Sequence, residues 1–168
     1  MSTFLLRTKS GIEDCARHLS ATATSGTEIE SYLTQHLLVV LCAEIQQEIY
    51  GIVETRATAS GDTALSSFAV ASARKTLRSI KKSEIVGFVR MFGVDANSQI
   101  ALSIDDAEVN FFNNAVEDRH GVAHRQGAQI TFHELIRAVA VAEKLLEAVQ
   151  TCLGQSVPLP QPRAISTN

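Results

Sequence analysis

A guanidinium and two imidazoles fall within six residues of this 168-residue chain: Arg119, His120 and His124. An imidazole titrates near neutral pH, so it can both give and take a proton. A guanidinium stays charged and offers a planar fork of donors suited to the oxygens of a crowded phosphorus centre. These residue types fit proton transfer and anion stabilisation at a phosphodiester. His120 and His124 are also four apart, a spacing that can hold a metal on a helix. No H-E-x-x-H accompanies them, and no third ligand stands out beyond Glu117 and the distant His133. We therefore expect neither a metal site nor a cofactor.

The helix that must carry these groups has an unusual pattern. At 100° per residue, Val109, Phe112, Val116 and Ala123 form one apolar stripe, and Arg119 falls on it at the edge beside Phe112. A charge there is costly unless it is paired or the face is wet. Asn113, Glu117, His120 and His124 cluster within about 60° of arc on another face. Glu44 stands in a second apolar stripe, with Leu37, Val40 and Leu41. Two compatible roles follow for it: a structural ion pair with Arg119, or a carboxylate that orients Arg119 at a site. Asn113, Glu117 and Glu44 are thus the expected supporting residues.

Around this helix the chain reads as further helices. The first is expected over Ile12–Ala23, broken by Ser25-Gly26. Thr27-x-x-Glu30 is a capping box that opens a long helix to about Ala59, with Leu33, Leu37, Leu38, Leu41, Ile45, Ile49 and Ile52 at helical spacing. Ser60-Gly61-Asp62 is a stop and a new cap. Helices over Thr63–Ile80 and Ser83–Phe92 follow, then a loop at 94–102. Ser103-x-x-Asp106 opens the motif helix to about Arg125. Thr131-x-x-Glu134 opens the last helix, with Phe132, Leu135, Val139, Leu146 and Val149 as its core face. Strand-like alternation is missing. The expected class is all-α, a bundle of about five to six helices over 1–153, followed by a disordered or extended tail at 154–168 that holds all three prolines.

Composition narrows the function classes. Hydrophobic residues make up 45% and charged residues 20%, with no Trp. That is an ordinary globular mixture of single-domain size, with aliphatic residues filling the core. The net charge of −3 argues against nucleic-acid binding by overall charge. One basic segment stands out: Arg74, Lys75, Arg78, Lys81 and Lys82. It reads first as a solvated helix face; the alternative is a patch that helps hold RNA, outside the site. Cys15, Cys42 and Cys152 are odd in number and lack a C-x-x-C, which suits free thiols in the cytoplasm. No apolar start resembles a signal peptide, and the run Leu37–Ala43 is too short for a bilayer, so no membrane partner is expected. G-x-S-x-G, the P-loop and G-x-G-x-x-G motifs are all missing.

The run Arg119-His120-Gly121-Val122-Ala123-His124 resembles the R-x4-6-H motif of the HEPN superfamily, with a polar residue after the arginine and Ala-His at the end. The layout is similar too: Cys42-Ala43-Glu44 on an early long helix, Phe92-Gly93, then the motif helix and a last helix. The resemblance is strongest to the RiboL-PSP-HEPN type and covers roughly residues 27–153. It implies an HEPN-type bundle acting as a metal-independent endoribonuclease, with Arg119, His124 and His120 catalytic. In such proteins two motif helices meet in a homodimer and share the cleft. Many are toxins or phage-defence effectors that cut RNA; others are inactive modules that bind RNA or a partner protein as dimeric scaffolds, the alternative function here. An antitoxin that modifies a tyrosine two residues after the motif histidine is known in one branch. Gln126 stands in that place, which speaks against that control.

Geometry gives an independent reason for pairing. On a straight helix Arg119 and His124 point about 140° apart. Either Gly121 bends the helix, or the arginine of one chain works with the histidine of its mate.

Overall fold

A computed structural model describes residues 3–77, 79–93, 95, 100, 103–123 and 130–154, with the side chains of 118–123 outside that description. Six helices make up the described residues: α1 (Leu6–Thr22), α2 (Glu28–Thr58), α3 (Thr63–Thr76), α4 (Lys82–Arg90), α5 (Asp106–Ala123) and α6 (Phe132–Gly154). The expected all-α bundle is the fold observed. The expected loop at 94–102 falls largely outside the described residues, as does the tail from 155 onward.

The hub is α2, which packs against α1, α3, α5 and α6. Its buried stripe is Leu37, Leu38, Leu41, Cys42, Ile45, Ile49, Ile52 and Val53. Each fully buried aliphatic side chain of this kind contributes roughly 1.5–3 kcal/mol. By length and composition α2 is apolar enough to cross a membrane. Its buried stripe faces the core, while Ile29, Tyr32 and Val39 are exposed. Opposite α2, α6 buries Leu135, Ala138, Val139, Ala142, Leu145, Leu146 and Val149, while Phe132 is half-buried at its start.

Local capping sets several boundaries. Thr27 Oγ1 accepts from Ile29 N at 3.3 Å, while Glu30 reaches back to Gly26 N at 2.8 Å. Asp62 Oδ1 accepts from Leu65 N at 2.9 Å, just after Gly61 turns the chain at φ 74°. Thr131 and Glu134 form the expected reciprocal box: Thr131 N donates to Glu134 Oε2 at 2.8 Å, and Glu134 N to Thr131 Oγ1 at 3.2 Å. The start of α5 differs from expectation. Its box is Asp105-x-x-Glu108, with Glu108 N donating to Asp105 Oδ1 at 2.8 Å, not the pattern at Ser103.

Two other boundaries also move. α1 begins at Leu6, six residues before the expected Ile12. Its N-cap, Leu5, has φ 58° and gives no side-chain cap. The fully buried Leu5 side chain and acceptors from α2 hold this strained start in place. α3 ends at Thr76 instead of Ile80, because Leu77 turns to an extended conformation. That turn lets Leu77 and Ile80 both enter the core. Cys42 and Cys152 are buried and Cys15 half-buried, none of them in a disulfide. Burial, with help from the Asp14 carboxylate, pushes the Cys15 thiol up, away from reactivity at neutral pH.

Candidate functional site

The motif helix α5 is fixed before the motif is reached. Phe112, Ala115 and Val116 are buried against the core. The Arg137 guanidinium of α6 lies 4.4 Å from the centroid of the Phe111 ring. Lys144 of α6 pairs with Glu108 at 2.5 Å. Helices α2 and α6 thus hold two sides of α5 and leave its polar face to another neighbour.

That neighbour is the start of α4. Asn113 Oδ1 accepts from Lys82 N at 3.2 Å, capping a helix whose own N-cap residue, Lys81, offers no side-chain cap. One turn on, Glu117 pairs with Lys81 Nζ at 2.5 Å. Two expected supporting residues therefore grip the end of the basic segment. The end of a segment expected outside the site thus lies against Asn113 and Glu117. The signal was present as a charge run, but its register against α5 depends on contacts 31 and 36 residues apart in sequence.

His120 takes the next position of the face that carries Asn113 and Glu117, and Arg119 the next position of the buried stripe Phe112–Val116. The side chains of both lie outside the described residues, and His124 lies outside them altogether. Glu44 has partners elsewhere. Its Oε1 accepts from Arg7 N at 2.9 Å, and its Oε2 from Thr8 N at 2.8 Å and Thr8 Oγ1 at 2.5 Å. The expected pairing of Glu44 with Arg119 involves a side chain outside the described residues. The role seen for Glu44 is to cap α1, which explains an acid in an apolar stripe without any site.

Among the described residues no group of three or more His, Cys, Asp or Glu is placed to hold a metal. Nor does any buried side-chain nitrogen or oxygen among them lack a hydrogen-bond partner. A cleft of about 480 Å³, lined in part by Phe4, Glu48, Ile52, Arg56 and Leu153, contains no residue of α5. The chemistry-bearing face and this concavity are separate features.

The family model described as RiboL-PSP-HEPN matches residues 5–155. The match takes in α1, which the sequence resemblance left out. No curated protein and no solved structure matches the chain.

Proposed function

Since the chain belongs to the RiboL-PSP-HEPN family, we propose that it is a metal-independent endoribonuclease of the toxin or antiviral-defence type, acting in the cytoplasm as a homodimer with RNA as substrate. The observation that carries this reading is the family match over residues 5–155, within which the stretch Arg119–Ala123 closes the helix Asp106–Ala123 and His124 follows next in sequence. An arginine in line with the buried stripe supports a shared cleft. Pairing two copies would give the charge a wet, phosphate-facing setting in place of a dry core.

The chemistry follows from the residue types. His124 takes the proton from a ribose 2′-OH, whose oxygen attacks the adjacent phosphorus. The bond from phosphorus to the 5′-oxygen breaks, and that oxygen receives a proton from His120 or from the partner copy's imidazole. The products are a 2′,3′-cyclic phosphate and a 5′-OH end. Arg119 stabilises the additional negative charge on the phosphoryl oxygens during the displacement.

The test is cleavage of RNA by the purified full chain in buffer containing EDTA, with the product ends identified. We expect cyclic phosphate ends, and a loss of roughly 100-fold or more for Arg119→Ala and for His124→Ala. Activity abolished by EDTA would overturn the metal-free chemistry. RNA bound but left uncut would point to the scaffold class of function.

A further inference from the structure

The basic segment is anchored to the core at described residues on both sides of Arg78. Leu77 and Ile80 are buried at 2% and 1% exposure, so the elbow between α3 and α4 is nailed to the core at two points. Tyr50 Oη donates to the Leu77 carbonyl at 3.3 Å, and the Arg74 guanidinium lies 5.8 Å from the Tyr50 ring centroid. The far end is held on the motif helix by Asn113 and Glu117. The backbone that carries Lys75 and Lys82 is thus anchored beforehand, which lowers the ordering cost on binding.

The helix that leads into the elbow has a second feature. Phe68 of α3 is 69% exposed, and a phenylalanine gains nothing from water. Phe68 and Lys75 are seven residues apart on one helix, within about 20° of the same direction. Lys75 is exposed as well. An outward aromatic ring in line with a cation is the combination that binds single-stranded nucleic acid: the ring stacks on a base and the cation meets a phosphate. In a chain of net charge −3, this face and elbow are a local exception.

We propose that the outer face of α3 and the α3–α4 elbow form a single-stranded RNA track leading onto the motif helix, with Phe68 as a stacking platform and Lys75 and Lys82 as phosphate contacts. The inference rests on the ribonuclease reading and extends it from the cleavage chemistry to how the substrate is held. It assigns the elbow the sequence-tolerant part of binding, and leaves the motif residues the cut.

The test uses the full chain carrying His124→Ala, so that RNA is not consumed, and a fluorescent single-stranded RNA of about 12 nucleotides. Binding is measured by anisotropy across a salt series. Phe68→Ala should weaken binding about fivefold without changing the salt slope, because stacking releases no counterions. The double variant Lys75→Gln, Lys82→Gln should flatten the slope by about 0.7 per lost phosphate contact. Arg17→Gln, on the exposed part of α1, should leave the slope as it was. Lysine variants that keep the parent's slope overturn the inference, as does an equal flattening by Arg17→Gln. So does a Phe68→Ala variant that splits the dimer in sedimentation while its RNA affinity is unchanged; the ring would then cover a second copy. Failure of the parent to bind RNA at all would instead remove the ribonuclease reading beneath it.

Discussion

Glu44 of α2 clasps Thr8 of α1 twice: one carboxylate oxygen accepts from both the Thr8 amide and the Thr8 hydroxyl, at 2.8 and 2.5 Å. The other accepts from Arg7 N. A helix start needs acceptors for its first amides, and a carboxylate is favoured there by the helix dipole. Glu44→Ala is therefore expected to lower stability by about 1.5–3 kcal/mol, the range for hydrogen bonds to a charged group. Urea unfolding checks the magnitude, and hydrogen exchange should show α1 opening first. A variant of unchanged stability would mean that Glu44 serves another purpose.

Asn113 should behave as a cap delivered from a neighbouring helix. Asn113→Ala removes the acceptor for Lys82 N and should cost about 1 kcal/mol. Asn113→Asp keeps an acceptor and adds a charge that suits a helix N-terminus, so it should restore most of that loss. Thermal unfolding of the two variants side by side measures the difference.

Glu117 and Lys81 are both partly exposed, so their pair should add little to stability, within about 1 kcal/mol. Its effect should appear in binding. Glu117→Gln removes a negative charge beside Lys81 and is expected to tighten RNA binding at low salt, an advantage that fades as salt screens it. Weaker binding at every salt concentration would instead make Glu117 a residue that supports the site directly.

Glu134 links stability to pH. Hydrogen bonds from the Thr131 backbone and then from the Thr131 hydroxyl hold its carboxyl below the ordinary glutamate value. A carboxyl depressed in the folded state stabilises the fold above its unfolded value, and the gain is lost as pH falls through the folded value. The stability gap between wild type and Glu134→Gln should stay constant from neutral pH to about pH 5 and close below about pH 4. Denaturant titrations across that range test the sign.

The features that could be read from the sequence are the ones that depend on near neighbours. Thr131 and Glu134 are three residues apart, and their box is where the spacing puts it. The stripes of α2 and α6 follow from periodicity alone. The start of α1 could not be read this way, because its cap comes from Glu44, 36 residues beyond Thr8. Nor could the end of α3, since Leu77 leaves the helix so that it and Ile80 can both reach the core. In the site, the face bearing Asn113 and Glu117 was visible on a wheel. Its partners Lys82 and Lys81 were not, because a wheel describes one helix and those contacts come from another.

Complementation between two inactive variants tests most directly whether the arginine of one copy works with the histidine of the other. Arg119→Ala and His124→Ala chains are mixed in equal amounts, unfolded and refolded together, and assayed on RNA. Half of the resulting dimers carry one of each chain, and in these one arginine–histidine pair across the interface is intact. The shared-cleft account predicts about a quarter of wild-type cleavage in the mixture, from two components that have almost none alone. A mixture as inactive as its components, in dimers shown to have exchanged subunits, would contradict it.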